Sequence, residues 1–108
     1  FRNKPEERRD IHLLALKMRS TLYRNLYYAI GDESTRTRML RLAMNDFNTW
    51  IELEEELPEK SRSVDPYLNA GFLLIEHSEK TENNEAKPQI LEDAERQFRK
   101  VLEIYVEE

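Results

Sequence analysis

The 108-residue sequence has no cysteine, only two glycines and four prolines, and no long run of apolar residues. The absence of cysteine excludes disulfides and thiolate metal sites. Two glycines, far apart in the chain, exclude a glycine-rich phosphate loop. No apolar run approaches the ~20 residues that cross a bilayer, and the first ten residues, FRNKPEERRD, lack the apolar segment of a signal peptide. These absences predict a soluble chain without a common nucleotide site.

Because few residues favour turns, the secondary-structure elements should be long. Hydrophobic residues make up 39% of the chain, enough to form a core beside 36% charged residues. Apolar residues recur at three- and four-residue intervals, as one face of an α-helix requires. The pattern predicts a single all-α domain over residues 1–108, with helices over 6–30, 34–57, 65–80 and 85–106.

The same periodicity predicts the buried face of each helix. In the first helix this face is Ile11, Leu14/Ala15, Met18, Leu22, Leu26 and Ala29/Ile30. In the second it is Met39/Leu40, Ala43, Phe47, Trp50/Ile51 and Leu57. In the third it is Leu68, Gly71/Phe72 and Ile75, with Tyr67 and Leu74 at its sides. In the fourth it is Ile90/Leu91, Ala94, Phe98, Val101/Leu102 and Tyr105.

Residues at the ends of these segments predict the helix boundaries. Gly31 can end the first helix in the left-handed conformation, and the short polar residues 32–34 can cap the second. Asp65 is the expected cap of the third helix, with Pro66 at the first helical position. Pro88 must lie in the first turn of the fourth helix.

Four helices joined by short polar loops predict an up-down-up-down antiparallel four-helix bundle, because short connections make successive helices antiparallel neighbours. The alternative architecture is a stack of two helical hairpins, as in tetratricopeptide-like adaptors. The segment QILEDAERQFRKVLEIY loosely resembles the second helix of such a repeat, but no 34-residue repeat is visible.

The net charge of -5 is unevenly distributed. Residues 1–44 have ten Lys or Arg against five Asp or Glu, a net of +5, whereas residues 45–108 have seven against seventeen, a net of -10. The two halves can pair within the fold or present two electrostatic surfaces to partners. Nucleic acid is a disfavoured partner, because binding to phosphates usually needs a dominant basic surface.

Residues that could perform chemistry are scarce. His12 and His77 are the only histidines, and neither has the spacing that places two metal ligands on one helix face. We expect surface or capping roles for both, with His77 as a favourable cation near a helix C-terminus. No nucleophile, base and orienting group can be named together. The sequence therefore predicts a non-catalytic protein with no metal and no cofactor.

Charged residues at the two ends of the second helix are candidates for partner binding. The basic group is Arg36, Arg38 and Arg41, and the acidic group is Glu54, Glu55 and Glu56. Both groups oppose the helix dipole, which suggests that docking selected them. The acidic run could be offset by basic residues of a neighbouring segment, by a basic partner or by a divalent cation, or it could be a plain solvated face.

Three tyrosines lie close together at the end of the first helix. Tyr23 and Tyr27 are four residues apart and share a face, whereas Tyr28 points about 100° away from Tyr27. Rings at the boundary of the core are one interpretation. The other is an exposed binding site formed by Tyr23 and Tyr27, since tyrosine is enriched in interface centres.

Several segments together resemble a known group of proteins. They are LYRNLYYAI, GDES, LRLAMNDFNTWI, SVDPYLNAGFLLIEHSEK and AERQFRKVLEI, spread over residues 14–105. In this order they resemble the small lumenal four-helix proteins of photosystem II, both the PsbQ-like extrinsic subunits with their diatom relatives and the related lumenal assembly factor. Plant PsbQ subunits are basic, and the sequence pI of about 5.2 favours a divergent algal member.

The resemblance implies a non-catalytic subunit that docks on the lumenal face of photosystem II and supports the oxygen-evolving complex or its assembly. It also implies the thylakoid lumen as the location, and removal of a targeting peptide would then explain the start at Phe1; a trimmed chain would explain it equally. The alternative hypothesis is a soluble, cytoplasmic helical adaptor or chaperone-like module that binds a protein partner. In either case we expect a monomer that is at most peripheral to a membrane.

Overall fold

The computed structural model describes residues 5–106, which form four α-helices and no β-strand. The helices are α1 (Pro5–Ala29), α2 (Glu33–Glu55), α3 (Asp65–Lys80) and α4 (Lys87–Val106), and a 3-10 turn at Glu59–Ser61 lies between α2 and α3. The predicted all-α fold with four helices is confirmed. Within the described range no helix is both long enough and apolar enough to span a bilayer. The expectation about Phe1 concerns a residue outside that range.

The helix boundaries agree with local chemistry in most places. The Asp32 carboxylate caps α2 by accepting hydrogen bonds from the Thr35 backbone N–H at 2.9 Å and the Thr35 hydroxyl at 2.7 Å. These bonds hold the pKa of Asp32 below its usual value. Pro88 lies in the first turn of α4, as predicted.

Two boundary predictions were wrong. Gly31 does not adopt a positive φ; α1 ends at Ala29, two residues before it. Asp65 is the first residue of α3, not its cap. The capping position is Val64, which has no side-chain cap hydrogen bond, and the backbone N–H of Asp65 donates to the Ser63 hydroxyl at 3.2 Å.

Extensive helix contacts join neighbours in chain order: α1 with α2, α2 with α3, and α3 with α4. A closed four-helix bundle would also pack α1 along α4. Within residues 5–106 no extensive contact joins those two helices. The molecule measures 47 × 38 × 16 Å with a radius of gyration of 15.2 Å. A compact chain of this length would have a radius of about 13 Å, so the helices form a wide, thin layer.

The core lies where α1, α2 and α3 meet. Its buried members are Leu13, Leu16, Tyr27, Ala43, Phe47, Trp50, Ala70 and Leu73. The predicted face of α2 is confirmed at Ala43, Phe47 and Trp50. Asp46 is also buried on α2, where it accepts two hydrogen bonds from the Arg19 guanidinium at 2.7 and 3.0 Å. This bidentate pair holds α1 against α2.

The predicted face of α1 was wrong. Ile11, Leu14, Met18 and Leu22 are 54–66% exposed. The buried residues are Leu13, Leu16, Ser20 and Tyr27, which lie on the opposite side of the helix at 100° per residue. Helix α1 therefore has two apolar faces, and packing against α2 and α3 uses the less hydrophobic one, which contains a serine.

The predictions for the buried faces of α3 and α4 were partly right. In α3, Tyr67 and Leu74, expected at the side of the face, are buried, whereas Phe72 is 58% exposed. In α4, Ala94 is buried as predicted, whereas Leu91, Leu102 and Tyr105 are 48–67% exposed. The apolar arc of α4 is wider than the contact that α3 makes with it, which leaves one side of the arc in solvent.

Candidate functional site

The basic group at the start of α2 is only partly at the surface. Arg36 is half-buried and donates from Nη1 to the Gly31 carbonyl at 2.7 Å, so its guanidinium closes the turn before α2. Arg38 and Arg41 are exposed. The helix start also carries Glu33, whose Oε1 accepts from the Glu82 backbone N–H at 3.1 Å. The first turn therefore has a carboxylate beside its arginines, which suits the helix dipole.

Glu54 is a structural residue. Its side chain is in the core, where Oε2 accepts from the Trp50 indole N–H at 3.2 Å and Oε1 accepts from the Ser63 backbone N–H at 2.8 Å. The carboxylate thus ties the last turns of α2 to the connector before α3. A partner has no access to it in this arrangement, in contrast to the predicted docking role.

Arginines offset the acidic end of α2. Arg62 donates to the Leu57 carbonyl at 3.0 Å and to the Glu55 carbonyl at 3.2 Å, and Arg9 of α1 donates to the Leu53 carbonyl at 2.6 Å. Cations at the carbonyl end of a helix favour its dipole. Basic residues of neighbouring segments are thus present at this helix end, as one of the four explanations for the acidic run requires. The Glu55 and Glu56 side chains are exposed.

Tyr27 is buried and joins α1 to α3. It has no exposed surface, and its hydroxyl lies 3.0 Å from Nδ1 of His77. His77 is itself buried, so the expected surface or capping role for this histidine was wrong. The Lys80 ammonium lies 5.5 Å from the Tyr27 ring centre and 5.2 Å from that of Tyr28, close enough for a cation–π contact with both.

Burial controls the protonation of this pair. Loss of solvation raises the pKa of Tyr27 to about 12 and lowers the pKa of His77 below its ordinary value. For His77, Glu33 works against the shift and Arg36 adds to it. Both groups are therefore neutral at pH 7, and the neutral hydrogen-bonded pair is part of the core. The pair joins α1 to α3 in the interior, since Tyr27 is fully buried and His77 is only 7% exposed.

The predicted partner-binding residues therefore do not form one site. Tyr27 and Glu54 are buried, and Tyr23 is half-buried against the core. The exposed members divide into Arg38 and Arg41 near the start of α2 and Glu55 and Glu56 at its end. These two small charged groups lie 14 to 18 residues apart along α2, or roughly 21–27 Å at 1.5 Å per residue.

Two exposed apolar surfaces are the stronger candidates. The first, which we name the α1 strip, is formed by Ile11, Leu14, Met18 and Leu22. The second, the α3–α4 strip, is formed by Phe72, Leu91, Leu102 and Tyr105. Four large apolar side chains close together make a patch of a few hundred Å², comparable with the largest on a typical monomeric protein, and such patches are often functional.

The α3–α4 strip is continuous across the two helices. Phe72 of α3 packs edge-to-face on Phe98 of α4, with ring centres 5.3 Å apart and planes at 60°. Gly71 allows this approach, because a Cβ at that position would lie 2.7 Å from the Phe98 ring. Leu91, Phe98 and Leu102 follow at intervals of seven and four residues and share one side of α4.

Sequence periodicity placed the residues of both strips in the core. The sequence does indicate that some apolar residues must stay exposed, because apolar residues occupy two opposite sides of α1 and a wide arc of α4. It does not indicate which side a neighbouring helix covers. Among residues 5–106, no three His, Asp or Glu side chains are grouped so that they could hold a metal ion.

Comparison with protein-family models, with curated proteins and with solved structures gives no match.

Proposed function

We propose that this protein is a non-catalytic protein-docking module whose α3–α4 strip binds a basic amphipathic helix of a partner. The observation that carries the proposal is the exposure of four large apolar side chains on one hairpin, between 48% and 67% each. Burying them against a partner would gain up to roughly 2–3 kcal/mol per side chain at ~25 cal/mol per Å² of apolar surface.

The shape of the strip favours a helix as the ligand. From Leu91 to Tyr105 it follows α4 for fourteen residues, or roughly 21 Å at 1.5 Å per residue. Phe72 widens it toward α3, beside the Phe98 ring. A helix of about four turns can place apolar residues at i, i+3 or i+4, and i+7 along such a surface.

Charge favours a basic ligand. Residues 65–106 have five Lys or Arg against nine Asp or Glu, a net of -4, and Glu79 of α3 and Glu92 of α4 are exposed. A cationic helix would be attracted to this hairpin from a distance, and a like-charged helix would be repelled.

The open packing of the helices also supports the proposal. We interpret the arrangement as two hairpins, α1–α2 and α3–α4, stacked through α2 and α3. The extensive contacts in chain order and the 16 Å thickness favour it over a closed antiparallel bundle. In a closed bundle the apolar arc of α4 would be covered by α1 and would have no room for a partner.

The experiment is a calorimetric titration with a synthetic Leu–Lys amphipathic helical peptide at low salt. We expect saturable binding by the natural protein and its loss in Leu102→Glu. The matched control is Leu22→Glu on α1, an equally exposed leucine outside the strip, which should bind as the natural protein does. Equal loss in both variants, or equal binding of a Leu–Glu peptide, would overturn the proposal.

The resemblance to small lumenal proteins of photosystem II supplies a specific version of this docking function. The exposed arginines Arg38 and Arg41 and the exposed Glu55 and Glu56 give that version two charged contact points. Its test is binding to thylakoid membranes that have been stripped of extrinsic subunits. Binding that weakens with rising salt and with reversal of Arg38 and Arg41 supports it. Absence of binding at low salt leaves the general adaptor function.

A further inference from the structure

We infer that the α1 strip is the interface of a twofold-symmetric homodimer, in which the α1 helices of two copies pack antiparallel. The strip belongs to a different helix from the proposed partner-binding surface, so the two proposals can fail separately. The argument rests on the position of the strip, on its self-complementarity and on the area that it offers.

Within residues 5–106 the α1 strip lies away from the core of one copy. Leu13, Leu16 and Tyr27 already pack α1 against α2 and α3 on one side. Ile11 and Met18 lie on the opposite side of the helix and are 54% and 66% exposed. A helix with apolar residues on two opposite faces is typical of an element packed between two layers. Among residues 5–106, one copy supplies only one of those two layers.

The spacing of the strip makes it self-complementary. In a twofold-symmetric antiparallel pair with its axis between Leu14 and Met18, Leu14 of one copy lies opposite Met18 of the second copy. Ile11 then lies opposite Thr21 of the second copy, with Leu22 only one residue, or about 1.5 Å, further along. Each of the four large side chains therefore has an apolar partner within one residue of this register, as an isologous interface requires. Intervals of three and four residues are also the spacing that packs two helices along a shared seam.

The polar residues at the ends of the strip suit the same register. Glu7 and Asn25 lie on the exposed side of α1, and the register that pairs Leu14 with Met18 brings Glu7 of one copy beside Asn25 of the second copy. An amide can donate to a carboxylate. Basic residues near the centre are directed back into their own copy: Lys17 lies 5.3 Å from the Trp50 ring centre, and Arg19 is paired with Asp46. No cation is therefore forced against its symmetry mate at the axis.

The area is sufficient for a weak, specific dimer. Four large apolar side chains with 54–66% of their surface exposed offer roughly 400 Å² per copy, or roughly 800 Å² for the pair. Flanking polar residues raise the total to about 1,000–1,200 Å², the lower limit for specific interfaces. We expect a dissociation constant on the order of 10 μM.

Sedimentation velocity between about 1 and 500 μM protein tests the dimer. The natural protein should pass from monomer to dimer across this range. Met18→Glu, which places a charge beside the axis, should stay monomeric with an unchanged helical circular dichroism spectrum. Leu102→Glu on α4, with similar exposure, is the control and should dimerise normally. A natural protein that remains monomeric throughout, or a dimer that survives Met18→Glu, would overturn the inference.

Crosslinking through a single introduced cysteine tests the antiparallel register. The natural chain has no cysteine, so an introduced one is the only thiol that can react. Ala15 is exposed and lies next to the expected axis, so Ala15→Cys should give a covalent dimer with a short bismaleimide crosslinker. Glu79→Cys, exposed on α3, should give none under the same conditions. If Ala15→Cys does not crosslink while the protein dimerises, the antiparallel register is wrong.

Discussion

The Glu54 side chain holds the end of α2 against the segment that leads into α3. Its two oxygens accept from the Trp50 indole and from the Ser63 backbone N–H, so its removal leaves two donors without a partner in a buried place. Unsatisfied buried donors cost about 1–3 kcal/mol each, beyond the loss of the bonds themselves.

We therefore expect Glu54→Ala to lower the free energy of unfolding by about 2–3 kcal/mol. Glu55→Ala, which changes an exposed neighbour, should change it by less than about 0.5 kcal/mol. Urea denaturation followed by Trp50 fluorescence measures both, since Trp50 is the single tryptophan. Equal and small effects of the two substitutions would show that Glu54 is a surface residue.

The buried His77 makes stability depend on pH. Its folded-state pKa is lowered from 6.5, mainly by burial, so the unfolded chain binds a proton where the folded chain does not. Stability is therefore complete above about pH 7, falls as the pH drops through 6.5, and stops falling below the folded-state pKa. Glu33 of α2 opposes this effect, whereas Arg36 of α2 strengthens it.

The test compares unfolding between pH 7.5 and pH 5 in two matched variants. His77→Gln can keep a hydrogen bond to Tyr27 but does not titrate, so it should flatten the decrease near pH 6. His12→Gln removes the exposed histidine of α1 and should retain the decrease of the natural protein. If the free energy of unfolding falls equally with pH in the natural protein and in both variants, groups other than His77 cause the pH dependence.

Between helices, the contact of α3 with α4 depends on Gly71. Alanine usually stabilises a helix relative to glycine by about 1 kcal/mol. At position 71 the added Cβ would meet the Phe98 ring at 2.7 Å, and overpacking costs about 1–3 kcal/mol. We expect Gly71→Ala to be net destabilising by about 1 kcal/mol, because the half-buried ring can shift only partly.

Gly31→Ala is the matched control for thermal unfolding. Nothing lies within 4 Å of a Cβ at Gly31, and its backbone does not need glycine, so this substitution should be neutral within about 0.5 kcal/mol. A second variant checks the cause: Phe98→Leu should reduce the cost of Gly71→Ala. A stabilising Gly71→Ala would contradict the close packing of these helices.

How far periodicity predicts packing differs between helices. In α2 a single apolar face exists, and Ala43, Phe47 and Trp50 are buried as the sequence indicated. In α1 two faces satisfy the same spacing, and the more hydrophobic face, with Met18 and Leu22, is the exposed one. Periodicity shows which residues share a face but not which neighbouring helix covers that face. For a helix with two apolar faces, either face could therefore be the buried one.

The candidate site was harder to predict because its partners are distant in the sequence. Tyr27 and His77 are 50 positions apart, and Glu54 and Ser63 are nine apart. A cluster of tyrosines or glutamates can be seen in the sequence. Whether such residues support the fold or are accessible to a partner depends on their burial, which the cluster does not indicate. The exposed strips could be recognised only after the contacts between helices were known.

At the scale of the whole molecule, the exposed apolar side chains form two separate strips, one on α1 and one on α3 and α4. The α3–α4 hairpin is acidic and presents the strip that we propose for a basic helix, so binding there should weaken as salt screens the attraction. Raising sodium chloride from about 50 to about 500 mM should weaken peptide binding several-fold without abolishing it, because the apolar contacts remain. Titrations at several salt concentrations measure this; no salt dependence would argue against a charge-selective surface.

The most direct test of docking on the α3–α4 strip is an NMR titration of isotopically labelled protein with the Leu–Lys helical peptide. We expect saturable shifts at Phe72, Leu91, Leu102 and Tyr105, with the signals of Ile11 and Leu22 on α1 unchanged. Saturable shifts confined to α1 or to the arginines of α2, or no saturable shifts at all, would contradict docking on this hairpin.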